Sequence, residues 1–170
     1  TEPKQPYSQV VRCGELIFTT GQVALDTNLI VIAATDLRGQ IRAAVDDLCG
    51  VLDAADTKPA DLVQLRAFYI PTNTLTSNEI MEWIGQCLGF LGAAGPAITL
   101  VPVEMLMSPG VLFEIEGIAM RGQGGQSLDR TAASDPHWYG LPSPFSHALR
   151  VGQMLFTSGI TARNRTGMVL

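Results

Sequence analysis

The sequence predicts an α+β domain with the element order ββαβαββ over residues 1–121, followed by a linker and by the start of a second copy of the same domain. Three observations predict this organisation. Apolar residues spaced by three and four positions indicate helices that pack one face on a sheet. Short runs of β-forming residues bounded by turn residues alternate with these helices. Finally, the segment at residues 6–26 returns 138 residues later.

The internal repeat relates residues 6–26 to residues 144–164. Six of the 13 differing positions exchange one apolar residue for another, so the two segments are expected to follow the same backbone path. Eight positions are identical: Pro6/Pro144, Ser8/Ser146, Arg12/Arg150, Gly14/Gly152, Phe18/Phe156, Thr19/Thr157, Gly21/Gly159 and Ala24/Ala162.

The domain is predicted to open with a hairpin and a helix. Residues 9–12 and 16–20 have the composition of two short strands, and Gly14 between them tolerates a tight turn. From Asp36 onward the apolar residues fall on one stripe of a helix, which ends near Ala55. This stripe predicts that one helix face packs on the sheet.

A strand and a second helix follow. Residues 62–70 are rich in β-forming residues and are bounded by Asp61 and Pro71, which predicts a strand. Thr76 and Glu79 have the spacing of a capping box, which predicts the start of the second helix, and residues 92–95 end it. The apolar side of this helix consists of Ile80, Trp83, Ile84, Cys87, Leu88 and Leu91.

Two further strands complete the domain. They are predicted at residues 97–103 and 111–119, separated by the turn-forming residues 108–110. Residues 122–143 are rich in Gly, Gln, Ser, Asp and Pro, which favours an exposed linker over a packed element. Residues 144–170 then form the first hairpin of the second copy.

Composition limits the classes of function. A chain of 170 residues with 46% hydrophobic and 16% charged residues has the balance of a globular protein. The formal net charge of −5 disfavours nucleic acid as a main partner. No apolar run is long enough to span a membrane, and the N-terminus lacks the pattern of a signal peptide, so a cytoplasmic location is expected. Three isolated cysteines and two isolated histidines predict neither disulfides nor a metal site.

Five blocks of sequence stand in a characteristic order and spacing: PYSQVVRCGELIFTTGQ, QIRAAVDDLCGVLDAA, DLVQLRAFYI, GPAITLVPVEML and FEIEGIA. In this order they resemble the successive blocks of the reactive-intermediate deaminase family, also called Rid or YjgF. The resemblance covers residues 6–121, and residues 144–170 resemble the first hairpin of another Rid domain. It implies a chorismate-mutase-like fold, with a mixed sheet carrying two helices on one face. It also implies a trimer or pseudo-trimer with pockets between neighbouring domains.

The resemblance implies an activity as well. Enzymes of the family hydrolyse enamines and imines derived from amino acids without a metal or an organic cofactor. The first expectation is therefore a cofactor-free hydrolase or deaminase that acts at a C–N bond of a small metabolite. The alternative is a non-catalytic domain that binds a small molecule or serves as a structural subunit. Ribonuclease action, assigned to some members, is less favoured because the chain is acidic.

The chain departs from the family at the position that binds the substrate carboxylate. Where the deaminases have Pro-Ala-Arg followed by Ser or Thr, this chain has PAIT, so Ile98 replaces the arginine. An isoleucine supplies none of the paired hydrogen bonds that a carboxylate needs. Leu100 stands where several members have Cys. Arg66 either replaces the missing arginine from another strand or pairs with Asp or Glu.

Other site residues carry over from the family. Glu114, the first acid of FEIEG, is expected to orient or deprotonate the attacking water, and Tyr7 is the tyrosine of the pocket. Thr20 and Gly21 line the pocket with their backbone. In the second copy Phe145 replaces Tyr7. The predicted catalytic residues are thus Glu114 and Tyr7, and the predicted substrate-binding residues are Thr20, Gly21, Ile98, Leu100, Ser158 and Gly159.

The second copy has no helices to cover its hairpin, and an isolated hairpin is marginal in water. Met154, Leu155, Phe156 and Ile160 are therefore expected on an exposed edge. We expect a second polypeptide to complete this domain. Cleavage of a common precursor after Leu170 would supply it, and simple truncation is the alternative origin of the break.

Overall fold

The computed structural model describes residues 7–89, 94–133, 135, 137–142, 144–164 and 166–169. Pro6, Leu91 and Leu170, on which predictions were made, lie outside the described residues, as do residues 92 and 93 at the predicted end of the second helix.

The first unit has the predicted ββαβαββ order with one additional short strand. Its elements are β1 (Val10–Cys13), β2 (Leu16–Thr19), β3 (Gln22–Val23), α1 (Leu37–Ala54), β4 (Leu62–Tyr69), α2 (Ser77–Cys87), β5 (Ala97–Pro102) and β6 (Phe113–Met120). These strands form one six-stranded sheet in the order β1-β2-β6-β4-β5, and β3 pairs with β6. The sheet is mixed because β4 and β5 run parallel while the other pairs are antiparallel.

One face of the sheet carries both helices. Side chains alternate along a strand, so Phe113 and Ile115 of β6 share a face, and both are fully buried. They pack in one core with Ile41 and Leu48 from the apolar stripe of α1 and with Ile84 of α2. The opposite face of the sheet carries Glu114, Glu116 and Ile118 of β6.

The second helix begins as its sequence predicts. The backbone N–H of Thr76 donates to the Glu79 carboxylate at 2.8 Å, and the Thr76 hydroxyl accepts from the Glu79 N–H. The hydrogen bond from the Thr76 backbone lowers the pKa of Glu79. Among the described residues, no helix is long and apolar enough to cross a membrane.

The predicted linker contains a short strand that the sequence did not predict, although most of the described residues between 122 and 142 are exposed, as expected. Strand β7 (Arg130–Ala133) joins β8 (Ala148–Val151) and β9 (Met154–Thr157) in a three-stranded sheet. The segment is held on the first unit by polar contacts, which composition does not reveal. Arg130 Nη2 donates to the Leu62 carbonyl at 2.8 Å, and Ser127 Oγ donates to Asp61 Oδ1 at 3.1 Å.

The second hairpin, β8–β9, is docked on the first unit rather than left uncovered. Leu149 and Val151 form a small apolar cluster with Val63 and Met120 on the sheet face opposite the helices. Phe156 packs partly against this cluster, so its expected exposure is only partial. The expected exposure of the other residues is confirmed: Met154, Leu155 and Ile160 are 42%, 64% and 82% exposed.

The two hairpins have equivalent hydrogen bonds. The N–H of Thr20 donates to the Gln9 carbonyl at 3.0 Å, and at the repeat-related positions Ser158 donates to His147 at 2.8 Å. Each hairpin thus ends in the same way at the Thr-Gly or Ser-Gly dipeptide.

Two repeated arginines bind the hairpin turns. Arg12 Nε donates to the Gly14 carbonyl at 3.3 Å, and Arg150 Nε donates to the Gly152 carbonyl at 3.2 Å. Both glycines have a positive φ, of 61° and 56°, which the turn requires. The two arginines thus have the same structural role in both copies.

Candidate functional site

Glu114 and Gly21 lie in direct contact. Strand β3 pairs with β6 so that Val23 stands opposite Glu114, which brings Gly21 beside the Glu114 side chain. A Cβ atom at Gly21 would overlap the Glu114 carboxylate. A side chain at position 21 would therefore displace the Glu114 carboxylate from its place.

The environment of Glu114 disfavours its charged form. The side chain is half-buried, and this burial raises its pKa above the usual 4.5, with a smaller contribution in the same direction from Glu116. Glu116 is two residues away on the same sheet face. A carboxylate with a raised pKa accepts a proton more readily, which suits a general base.

Arg66 is paired on the same face. Its Nη1 lies 2.8 Å from Glu116 Oε1, and both side chains are partly exposed. Of the two alternatives raised by the sequence, the ion pair is therefore the one confirmed. Arg66 stands directly opposite Glu116 in the β4–β6 pair, whereas Glu114 stands opposite Phe68. The register of the two strands thus explains why Arg66 pairs with Glu116 and not with Glu114.

A cavity of about 450 Å³ has Gly21 among its lining residues, and we call it the first-copy cavity. Tyr7, which is 57% exposed, lines it together with Gly21. Glu114 is not one of its lining residues, although it touches Gly21. Gly21 thus lies between the cavity, which Tyr7 lines, and Glu114, the predicted base.

A polar network missed by sequence reasoning borders the same cavity: Gln9 and Gln22 line the cavity, whereas Thr20, predicted to line the pocket, is not among its described lining residues. Thr20 Oγ1 donates to Gln9 Oε1 at 2.8 Å, and Gln22 Nε2 lies 3.1 Å from both Gln9 Oε1 and the Thr20 carbonyl. Gln22 is buried, with 8% of its surface exposed. The signal that could have revealed it is the sequence TTGQ, in which Gln22 directly follows Gly21.

Strand β5 holds the other predicted residues. Ile98 is 2% exposed and packs in the main core, and Leu100 packs against that core from a partly buried position. The backbone of Ile98 binds the second hairpin: its N–H donates to Ser158 Oγ at 2.8 Å, and its carbonyl accepts from the Gly159 N–H at 3.2 Å. Ser158 Oγ donates in turn to the Ser146 carbonyl at 2.7 Å.

The predicted site residues therefore form two groups. Tyr7, Thr20, Gly21 and Glu114 lie together around β3, whereas Ile98, Ser158 and Gly159 meet at the β5 edge. Strand β4 separates β6 from β5 in the sheet, so a single unit does not bring the two groups together.

No group of three His, Cys, Asp or Glu side chains that could hold a metal ion occurs in the part of the chain that the structure describes.

Comparison with known proteins relates the first unit to one family. The family model described as endoribonuclease L-PSP matches residues 1–121. A 2-iminobutanoate/2-iminopropanoate deaminase of Escherichia coli K12 is 32% identical over 117 residues, which are 68% of this chain and 88% of the relative. A RutC family protein of Pyrococcus horikoshii is 28% identical over 121 residues, which are 71% of this chain and 90% of the relative.

Comparison with solved structures leads to the same family. The crystal structure of the E. coli YjgF gene product matches with a TM-score of 0.58 and 30% identity, covering 71% of this chain and 91% of that one. The structure of E. coli TdcF with bound serine matches with a TM-score of 0.60 and 27% identity over the same shares of 71% and 91%. The chain therefore belongs to the endoribonuclease L-PSP family, also called the Rid or YjgF family.

Proposed function

We propose that this protein is a cofactor-free deaminase that hydrolyses the C–N bond of a small imine or enamine. The observation that carries the proposal is the half-buried Glu114 carboxylate, whose pKa is raised and which lies against Gly21, a lining residue of the first-copy cavity. The names of several relatives, 2-iminobutanoate/2-iminopropanoate deaminases, support the same reaction class.

The proposed reaction adds water to a C=N bond. The water oxygen attacks the imine carbon while its proton passes to Glu114, and the nitrogen of the substrate takes up a proton to give a tetrahedral aminoalcohol. The C–N bond then breaks as Glu114 transfers the hydroxyl proton to the nitrogen, so that ammonia leaves and a carbonyl group forms. An enamine first becomes the imine by protonation at carbon. Tyr7, with its phenol group at the cavity, would orient the substrate.

We also propose that the site is completed between units. In this chain the Ser158–Gly159 end of the second hairpin binds the β5 backbone at Ile98. The repeat-related Thr20–Gly21 end of the first hairpin is the one that lies beside Glu114. A β5 strand of a neighbouring unit bound there in the same way would place its backbone next to Gly21 and Glu114.

The position of Ile98 supports a substrate different from that of deaminases with the family arginine. Its side chain is apolar and buried in the core, so position 98 contributes no cation to a neighbouring pocket. This same observation favours the second candidate function, a small-molecule-binding or structural subunit without catalysis. Ammonia release from 2-iminopropanoate and from an aminomuconate-type enamine distinguishes the two: turnover supports the deaminase, and its absence with both substrates supports the binding subunit.

The pH dependence of the reaction should report the raised pKa of Glu114. Glu114 acts as a base only when ionised, so kcat/KM should fall as the pH drops through this pKa, at a pH above the usual 4.5 of glutamate. Glu116→Gln removes a neighbouring negative charge and should move the midpoint to lower pH. The measurement is kcat/KM between about pH 4 and pH 8 for both proteins. An unmoved midpoint would contradict the assignment of the titrating group.

We expect the units to assemble as a trimer or pseudo-trimer. The sheet face opposite the helices presents Phe18, which is 39% exposed, beside Ile118 of the same face. A packed neighbour would cover this face. Sedimentation velocity should give a species well above 18.2 kDa, and Phe18→Asp should shift it toward the single chain. A protein that sediments as a single chain before substitution would refute the assembly.

We further propose that a second polypeptide completes the second copy. The support is the outer side of its hairpin, where Leu155 and Ile160 are exposed while Leu149 on the inner side is buried. Denaturing mass spectrometry of native material should therefore show a second chain beside the 18.2 kDa species. A single species without a copurifying chain would rule this out.

A further inference from the structure

A second cavity lies at the repeat-related place in the second copy. This second-copy cavity, of about 200 Å³, is lined by His147, Gly159, Ile160, Thr161 and Arg163. Each of these positions lies 138 residues after a residue of the first-copy cavity, namely Gln9, Gly21, Gln22, Val23 and Leu25. The repeat thus places a cavity at the same site in both copies.

The two cavities differ in charge. The first-copy cavity is lined by Asp26 and Asp47, and no Lys or Arg is among its described lining residues. In the second-copy cavity Arg163 replaces Leu25 of the first copy, and among the described lining residues there is no Asp or Glu. The second-copy cavity therefore favours an anion, whereas the first disfavours one.

Two aromatic side chains of the predicted linker segment, residues 122–143, form one wall of the second-copy cavity. Trp138 and Tyr139 line it, and the Trp138 ring meets the His147 ring edge-on at a centroid distance of 5.1 Å. The Arg163 guanidinium carbon stands 5.9 Å from the centre of the Tyr139 ring. A planar ligand with an anionic group fits such a wall because rings stack on aromatic faces while the guanidinium binds the anion.

Contacts on three sides hold Tyr139 in place. Its hydroxyl exchanges hydrogen bonds with the side-chain amide of Asn78 at 2.9 and 3.1 Å. Its carbonyl lies 2.6 Å from His147 Nε2, and its ring lies so close to Gly167 that a Cβ there would be 2.7 Å from Tyr139 Cε2. The Tyr139 side of the aromatic wall is thus formed before a ligand binds, which lowers the entropy loss of binding.

The Arg163 side chain is available to a ligand. Within the described residues its guanidinium makes one long hydrogen bond, from Nη1 to the Gly167 carbonyl at 3.4 Å. A guanidinium has five N–H donors arranged in a planar fork that matches a carboxylate. Pockets that hold drug-sized molecules have volumes of about 300–1,000 Å³. The second-copy cavity is smaller, so its ligand must be smaller than a drug-sized molecule.

We propose that the second-copy cavity binds a small planar carboxylate, with the carboxylate on Arg163 and the ring of the ligand against Trp138 and Tyr139. This site is separate from the proposed catalytic residues, since Glu114 and Tyr7 line neither this cavity nor its aromatic wall. It rests on the cavity, its charge and its preformed wall, and does not depend on deaminase activity.

The test uses Trp138 as the reporter. The chain has two tryptophans, so Trp83→Phe leaves Trp138 as the single one. Titration with benzoate should change its fluorescence saturably, with a Kd on the order of 1 mM for so small a ligand. Benzamide, which has the same shape without the charge, should bind at least about tenfold more weakly. Equal binding of the two, or no saturable change with benzoate, would overturn the proposal before Arg163 is substituted.

Matched arginine variants complete the test. Arg163→Gln should weaken benzoate binding about tenfold and leave benzamide unchanged. Arg150→Gln is the control, because Arg150 belongs to the same second copy but binds the turn at Gly152 and does not line the cavity. An unchanged affinity in Arg163→Gln, or an equal loss in both variants, would contradict the assigned role of Arg163. Circular dichroism confirms that both variants are folded.

Discussion

Glu114→Gln should lower the turnover of a small imine by about 10²–10⁴-fold, the contribution that a positioned general base makes. The glutamine side chain keeps the shape of the glutamate beside Gly21 but does not accept a proton from water. The substitution also removes a half-buried charge whose pKa is raised, so the folded protein should be at least as stable as the unsubstituted one at neutral pH. Ammonia release from 2-iminopropanoate measures the effect on turnover, and urea denaturation measures stability.

Glu116→Gln is the matched control for this result. Glu116 belongs to the same strand and the same sheet face, but its carboxylate pairs with Arg66 in a partly exposed position. Such a pair contributes little to stability, and its loss should change turnover by less than about tenfold. Equal losses in the two variants would contradict a special role for Glu114. Full turnover in Glu114→Gln would assign the base to another residue.

Elements with a local cause could be predicted from the sequence. The start of α2 follows from Thr76 and Glu79, which satisfy each other's backbone groups within one turn. Strand β7 was missed because its cause is distant: Arg130 reaches the Leu62 carbonyl, 68 residues away in the chain. A polar, glycine-rich segment has no local signal for such a contact.

In the candidate site, too, the features that depend on distant parts of the chain could not be predicted from the sequence. Glu114 and Gly21 were identified by resemblance, but their contact depends on the pairing of β3 with β6, and β3 has only two residues. The burial of Ile98 was not foreseen because it depends on which face of β5 meets the helices. The Gln9–Thr20–Gln22 network likewise arises only when the chain before the first hairpin strand meets β3.

Leu149→Ala should destabilise the protein by about 2–5 kcal/mol, the range observed for leucines truncated in a packed interior. Leu149 is fully buried in the cluster that joins the second hairpin to Val63 and Met120 of the first unit. The loss combines the buried surface of the side chain with the cavity left behind. The measurement is the free energy of unfolding from urea denaturation.

Leu155→Ala is the matched control, since it makes the same change on the neighbouring strand of the same hairpin. Leu155 stands opposite Arg150 in the β8–β9 pair and is 64% exposed, so its truncation should change stability by less than about 0.5 kcal/mol. A large difference between the two leucines would show that the hairpin is docked in solution on one side only. Similar small effects would mean that the hairpin is detached in solution, which would also remove the contact of Ser158 and Gly159 with β5 on which the proposed arrangement of units rests.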